Sequence, residues 1–261
     1  MAGEPQNQKA YGVHVAKGTA LQIPVGGLKI AFTPKGDLKM TARVEVLQMM
    51  TPHWLGIAVE HLDTAKKHHE TLIVAIAAKS DTAIETSLEG DFLASMQASV
   101  AAAVAFDALY ASVKEHVTLP NHILKTWQKN RTARYRQVLE VLRRGFSLRN
   151  HEVQNLCASL KLAFEARDLA VHPKGNFSPP ILHPDLGYHT EWRFVQFRYD
   201  TAPTIVRAAL AFTRELAFNG LQSASDGLVT LSKGISANLE RLLLSWEERH
   251  GKLNEDSENP N

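Results

Sequence analysis

The chain has 261 residues, of which 44% are hydrophobic and 21% charged; these values exclude a disordered chain and allow a sizeable buried core. Its 29 lysines and arginines nearly balance 27 aspartates and glutamates, so the net charge of +2 identifies no class of partner. A single cysteine, Cys157, excludes a disulfide-rich secreted fold. The polar start is not typical of a signal peptide. The apolar run from Phe92 to Tyr110 is richer in alanine than a membrane span and predicts a closely packed core helix. We therefore expect a cytoplasmic protein that does not contact a membrane.

The first elements along the chain are predicted to be strands. Apolar and polar residues alternate over 38–46, which is typical of a half-buried strand. Leu28, Ile30 and Phe32 predict a strand before it, and the sequence from Pro34 to Asp37 has the residues of a turn. The segment 1–50 is therefore expected to contain a small β-hairpin unit.

The pattern becomes helical from Thr51 onward, and we expect one helical domain over 51–250 followed by a flexible acidic tail over 251–261. A further strand is predicted over 195–199, after a proline-rich stretch, and would pair with the hairpin. The fold class predicted is mainly α, a helical bundle with a small N-terminal β-hairpin unit. The predicted helices cover 52–79, 82–117, 121–145, 148–172, 203–219 and 228–250.

Basic residues are concentrated between Asn121 and Arg149, where Glu140 is the one acidic residue and the local net charge is +7. Aromatic residues are interleaved with them, as on a surface that contacts nucleic-acid phosphates. The alternative is a solvated helix face that pairs with acidic helices elsewhere in the fold. The candidate RNA-binding residues are Lys125, Lys129, Arg131, Arg134, Arg136, Arg143, Arg144 and Arg149.

A second candidate site lies at the end of the helix predicted over 148–172. Its apolar stripe, continued at helical spacing, reaches Arg167, so an arginine lies on the side that faces the core. Such an arginine meets a carboxylate, extends to the edge of the core, or faces a polar cleft. His172 follows five residues later, directly before Pro173, and Asp168 precedes it by four residues, a spacing at which a carboxylate can orient an imidazole. These residues are suited to be a phosphate-binding cation (Arg167), an orienting carboxylate (Asp168) and an acid/base (His172).

The segment Arg167-Asp168-Leu169-Ala170-Val171-His172-Pro173 resembles the signature of the HEPN superfamily, named for higher eukaryotes and prokaryotes nucleotide-binding domains. Its motif is an arginine, usually a polar residue next, and a histidine after four to six intervening positions. The spacing from Arg144 to His151 also matches, but it spans Gly145 and a predicted loop, so we treat it as a chance match. The resemblance covers residues 82–220 and leaves the hairpin outside.

This resemblance implies a metal-independent ribonuclease, of the kind found among toxins and antiviral defence proteins, acting as a homodimer whose two motifs share a cleft. Arg167 would stabilise the charge of the transition state, His172 would move protons and Asp168 would position it. Cleavage without a metal needs both a base and an acid, which two copies of His172 would supply, leaving a 2′,3′-cyclic phosphate. The implied partners are RNA, a second copy of the chain, and an antitoxin or regulatory protein. The alternative is a non-catalytic helical module that binds nucleic acid or a protein partner, with Arg167 in a structural salt bridge.

The remaining histidines and the cysteine give no clear chemical signal. His61, His68 and His69 are not spaced like metal ligands on a helix, so we expect a solvated face, no metal site and no cofactor. His183 and His189 are expected in an ordinary surface loop, and Cys157 is expected to pack rather than react.

Overall fold

Helices dominate the computed structural model, which describes residues 19–172 and 177–253 and has a small antiparallel hairpin near the N-terminus. The predicted fold class, mainly α with an N-terminal hairpin unit, is confirmed. The chain divides into two compact units, residues 1–48 and 49–261. The expected tail over 251–261 lies outside the described residues from position 254 onward.

Over its described residues, 19–48, the N-terminal unit has two antiparallel strand pairs. Strand β2 (Leu28–Phe32) pairs with β3 (Leu38–Ala42) as predicted, and the turn between them contains Gly36 at φ +86°. The predicted strand over 38–46 is not continuous, because β4 (Glu45–Leu47) pairs instead with β1 (Ala20–Gln22). The expected half-burial is wrong, since every residue of β2 and β3 is exposed. A two-stranded ribbon has no second layer of its own to cover either face.

The helical unit is built around one long alanine-rich helix. Helix α1 (Met50–Ala77) lies along α2 (Asp81–Lys114), and α2 also contacts most of the other helices of the unit. Its buried face is largely alanine and serine, and these small side chains let neighbouring helices approach closely. By length and composition α2 could cross a membrane, but 56% of its most apolar stretch is buried inside the protein, as in core helices of soluble proteins.

The helix predicted over 121–145 is two helices in the structure, α3 (Asn121–Asn130) and α4 (Arg134–Gly145). Arg131 adopts the left-handed conformation, with φ 47° and ψ 49°, and the Thr132 amide donates to the Trp127 carbonyl at 3.0 Å. This is the hydrogen bond of a Schellman C-cap, which ends a helix. The basic residues of this region are consequently carried by two helices and a loop.

Three further long helices lie in the part of this unit that the structure describes, and their positions agree with the predicted ones. They are α5 (Asn150–Val171), α7 (Ala202–Gly220) and α8 (Asp226–His250). Helix α5 packs on α2 and α4, while α7 packs on α2 and α8. Helix α8 ends against α1, where Trp246 is fully buried and His250 Nε2 lies 2.8 Å from Asp63 Oδ1.

The strand predicted over 195–199 is wrong. Its first two residues instead end the short helix α6 (Trp192–Gln196). The Glu191 carboxylate caps the start of this helix by accepting a hydrogen bond from the Arg193 amide at 3.0 Å. Aromatic packing explains the apolar spacing, because Phe197 is 2% exposed and its ring centroid lies 6.2 Å from that of Phe92. Two short strands precede α6 and pair with each other, β5 (Ile181–Leu182) and β6 (His189–Thr190).

Candidate functional site at the end of helix α5

The end of α5 is where the apolar stripe of the helix leaves the core. Of the predicted stripe, Leu156, Leu160, Ala163 and Phe164 are buried, while Val153 at its start is half-buried. The next position of the stripe is Arg167, whose side chain is 21% exposed. Its guanidinium carbon lies 4.5 Å from the centroid of the Phe164 ring. The aromatic ring therefore supports the cation at the edge of the core, so Arg167 is neither sealed inside nor fully solvated.

Two carboxylates hold the Arg167 guanidinium. Nη1 donates to Asp107 Oδ2 from α2 at 2.8 Å, while Nε and Nη2 donate to Asp168 Oδ1 at 3.0 and 2.7 Å. Asp107 is 26% exposed and Asp168 is 57% exposed. The contact on the core side is therefore the more protected one, and the contact through Nε and Nη2 faces solvent.

Asp107 also holds a second arginine. Arg134, at the start of α4, donates from Nε to Asp107 Oδ1 at 2.7 Å, and its guanidinium lies 4.0 Å from the centroid of the Tyr110 ring. Two cations and two carboxylates thus form one network, which we call the Asp107 cluster: Asp107, Arg134, Arg167 and Asp168. Arg134 is the one predicted RNA-binding residue within this cluster.

His172 lies at the C-terminal end of the same helix and is exposed. Its backbone leaves the helical region, with φ −122° and ψ 64°, and its amide donates to the Asp168 carbonyl at 2.9 Å. The contact predicted between the Asp168 carboxylate and the His172 ring is not made, because Asp168 binds Arg167 instead. Among the residues described, none hydrogen-bonds to the His172 ring. The following residue, Pro173, lies outside the described residues.

An apolar groove of about 330 Å³ lies beside the motif. Ala170 and Val171 of α5 line one side, and residues of α1 and α2 line the other. The groove is predominantly apolar, so it offers shape and hydrophobic contact next to the polar Asp107 cluster. Its other lining residues are Trp54, Ile57, His61, Met96, Gln97, Val100 and Ala101.

Half of the candidate RNA-binding residues are engaged by carboxylates. Besides Arg134, Arg143 and Arg144 both bind Glu140, and Arg149 binds Glu152 at 2.9 Å. Burial favours the neutral form of Glu140, but hydrogen bonds from the two arginines lower its pKa overall. The other four are exposed and have no carboxylate partner among the residues described: Lys125, Lys129, Arg131 and Arg136.

The basic residues also lie at opposite ends of α5. Arg144 and Arg149 line a polar cleft of about 750 Å³ at the start of α5, together with His116 and the loop between α7 and α8. Because α5 has 22 residues, its two ends are separated by about 33 Å at 1.5 Å per residue. Arg134 therefore lies with Arg167, while Arg144 and Arg149 lie near the far end of the helix.

The histidines set aside by sequence reasoning do not form a common solvated face. His69 is 15% exposed and its Nδ1 lies 3.2 Å from the buried Asp91, while His61 lines the apolar groove. His183 is 1% exposed, so the expectation of an ordinary surface histidine is wrong there. Burial lowers the pKa of His183, and its Nδ1 accepts a hydrogen bond from the Asp185 amide at 3.3 Å. The sequence carried no signal for these contacts, because the partners are distant along the chain or lie in irregular segments.

Comparison of the chain with protein-family models, with curated proteins and with solved structures finds no match.

Proposed function

We propose that the protein is a metal-independent endoribonuclease of the HEPN type that uses Arg167 and His172 in a homodimer. One observation carries this proposal: Arg167 is held at the edge of the core with its outer edge bound by the exposed Asp168, and an exposed His172 ends the same helix. A cation and a titratable imidazole are the two groups that metal-free cleavage of RNA requires at the scissile phosphate.

The two carboxylates around Arg167 suggest how a phosphate would enter. Asp107, on the core side, would keep Nη1 in place during the reaction. Asp168 is more exposed, and its Oδ1 bridges Nε and Nη2, the edge of the guanidinium that a phosphate oxygen would occupy. In this proposal Asp168 holds Arg167 in place before RNA binds and then yields that edge to the phosphate. Its role is therefore to position Arg167 rather than to orient His172.

A second copy of the chain completes the chemistry. One imidazole cannot easily be both the base for the 2′-hydroxyl and the acid for the leaving 5′-oxygen, whereas two copies of His172 can divide these roles. The reaction transfers the phosphorus from the 5′-oxygen to the 2′-oxygen and leaves a 2′,3′-cyclic phosphate. Arg134 and the exposed basic residues of α3 and α4 would guide RNA to the site. A cytoplasmic location, with an antitoxin or regulatory protein as partner, belongs to the same proposal.

A non-catalytic helical module that binds nucleic acid or a protein is the second candidate. The observation that favours it is the occupation of three guanidinium nitrogens of Arg167 by carboxylates, as in a structural ion-pair network. Helix geometry adds a second argument. Arg167 and His172 are five residues apart, a spacing that corresponds to about 140° around a helix axis, so helical spacing alone does not bring the two side chains to the same face. On this alternative, Arg167 fastens α5 to α2 and His172 has no chemical role.

Incubation with transfer RNA and messenger RNA in EDTA tests the proposal. The wild-type chain should cleave RNA and leave 2′,3′-cyclic phosphate ends, and His172→Ala should lower the rate at least about 100-fold. His189→Ala, which removes another exposed histidine, is the matched control and should cleave like wild type. Cleavage that survives in His172→Ala, or no cleavage by the folded dimer, would overturn the ribonuclease proposal. In the second case, binding of RNA that weakens with salt would support the alternative.

A further inference from the structure

A second polar cluster joins the irregular segment 183–200 to helices α1 and α2. His69 belongs to α1, Asp185 lies between β5 and β6, and Asp200 lies just before α7. One imidazole nitrogen and one oxygen from each carboxylate lie within 4.8 Å of one another. These residues are separate from the Asp107 cluster and have no part in the proposed ribonuclease chemistry.

The His69 ring is held by a buried carboxylate. Its Nδ1 lies 3.2 Å from Oδ2 of Asp91, a side chain that is only 2% exposed. Oδ1 of Asp91 is fixed in turn, since it accepts hydrogen bonds from the Ser95 hydroxyl and the Tyr199 amide, both at 2.9 Å. An Nδ1–H that donates to Asp91 leaves the lone pair on Nε2. A carboxylate that orients an imidazole in this way is typical of histidines that bind metals through the other nitrogen.

The atom opposite His69 Nε2 is a carboxylate oxygen that lies too far away for a hydrogen bond. Asp200 Oδ1 is 4.0 Å from Nε2. Arg198 Nη1 binds the other oxygens, Oδ2 of Asp200 and Oδ2 of Asp185. Oδ1 of both aspartates, and Nε2 of His69, accept no hydrogen bond from any residue in the described ranges. Each of the three residues therefore keeps one ligating atom that accepts no hydrogen bond, while Arg198 binds the other oxygen of both carboxylates.

The charges of the cluster do not balance. Asp91, Asp185 and Asp200 contribute three negative formal charges and Arg198 contributes one positive charge, so the formal charges of these four side chains sum to −2. Burial raises the pKa of Asp91 overall, and the hydrogen bonds from Ser95, His69 and the Tyr199 amide oppose this rise. One divalent cation would neutralise the cluster.

We propose that His69, Asp185 and Asp200 bind one divalent transition-metal ion, with Zn²⁺ as the preferred ion. An imidazole with two carboxylates suits Zn²⁺ better than the all-oxygen sites that Mg²⁺ and Ca²⁺ favour. A tetrahedral site needs donors about 3.4 Å apart, so the three atoms must close by roughly 1 Å. Asp200 is 45% exposed and can make that movement, and water would be the fourth ligand. The ion would fasten the 183–200 segment to α1 and stabilise the fold.

Calorimetric titration of the full chain, stripped with EDTA and then freed of chelator, tests this site with ZnCl₂. The wild type should bind one Zn²⁺ per chain and show a higher melting temperature with Zn²⁺. Asp200→Asn changes one oxygen on an exposed side chain and should weaken binding at least about tenfold, and His69→Gln should do the same. His189→Gln, which removes an exposed histidine from the same segment, is the matched control and should bind like wild type.

Cobalt absorption provides a readout that is independent of stability. Co²⁺ added to the stripped wild-type chain should produce the visible absorption bands of tetrahedral Co²⁺, and these bands should be absent in Asp200→Asn. Absence of a one-to-one complex in the wild type, or equal Zn²⁺ affinity in wild type, Asp200→Asn and His69→Gln, would overturn the proposal. If His69→Gln does not fold, the comparison of Asp200→Asn with wild type decides.

Discussion

Replacement of Asp107 by asparagine tests whether one carboxylate holds Arg167 and Arg134 together. The substitution keeps the size of the side chain and one carbonyl acceptor, but it removes the negative charge between two guanidinium groups. Both guanidinium groups donate to this carboxylate at hydrogen-bond distance, 2.8 Å for Arg167 and 2.7 Å for Arg134. The asparagine side chain would leave two partly buried cations near each other with one neutral acceptor to share.

The expected loss follows from the exposure of each pair. A charge-assisted hydrogen bond contributes about 1.5–3 kcal/mol when protected, and an exposed pair contributes about 0–1 kcal/mol. The Arg167 side chain is 21% exposed, so its bond belongs nearer the first range, whereas Arg134 at 36% belongs nearer the second. Because asparagine retains part of both contacts, we expect Asp107→Asn to lower the free energy of unfolding by about 1.5–2.5 kcal/mol.

Urea denaturation monitored by circular dichroism measures this difference. Glu89→Gln is the matched control, since Glu89 is an exposed carboxylate on the same helix, and it should change stability by less than about 0.5 kcal/mol. The effect of Asp107→Asn should shrink in 1 M salt, where a Debye length of about 3 Å screens the partly exposed charges. A difference between the two variants below about 0.5 kcal/mol would refute the claim that Asp107 positions Arg167.

Three other predictions concern pH, packing and RNA. Burial, with Lys66, Arg249 and Arg207 nearby, lowers the pKa of His250 to about 4, while Arg249 neutralises the adjacent Asp63. The unfolded chain therefore binds this proton first as pH falls below 6.5, and denaturation at pH 7 and pH 5 should show a loss of about 2 kcal/mol that is absent in His250→Gln. Gly220→Ala places a Cβ against the Ser232 hydroxyl oxygen, well inside van der Waals contact, and should lower the free energy of unfolding by roughly 1–3 kcal/mol. In Gly56→Ala the new Cβ meets open space in α1, so this variant should be more stable by about 0.5–1 kcal/mol. Equal melting temperatures for these two variants would contradict the packing argument. Replacing Lys125 and Lys129 together by glutamine should reduce the salt slope of RNA binding by about 1–2, and an unchanged slope would show that α3 does not contact phosphates.

Long elements with a strong period could be predicted from the sequence, and local exceptions could not. The helical spacing of apolar residues located α1, α2, α5, α7 and α8 to within a few residues, because each buries one face over several turns. The break at Arg131 left no such trace, since the residues on both sides retain helical character. The residues 195–199 alternate like a strand, yet packing of Phe194 and Phe197 against Phe92 and a cap from Glu191 make this segment begin as a helix.

The candidate site was predictable in part for the same reason. The stripe of α5 places Arg167 at the edge of the core, because that position is set by the helix alone. Its partner Asp107 lies 60 residues earlier, on a different helix. The predicted contact of Asp168 with His172 respected helical spacing, but Arg167 is the stronger competitor for that carboxylate because it offers two donors in one plane.

Features that depend on neighbours along the chain could be obtained without the fold: the mainly helical class, the N-terminal hairpin, the buried character of α2 and the position of Arg167 on α5. The packing of the helices settles which carboxylates meet which cations. It brings Arg134 to Arg167, places Arg144 and Arg149 at a cleft near the far end of α5, and turns His69 toward Asp185 and Asp200. Helix and strand periods are local properties of the backbone. Contacts between distant charges depend on how helices pack, which the pattern along one helix does not specify.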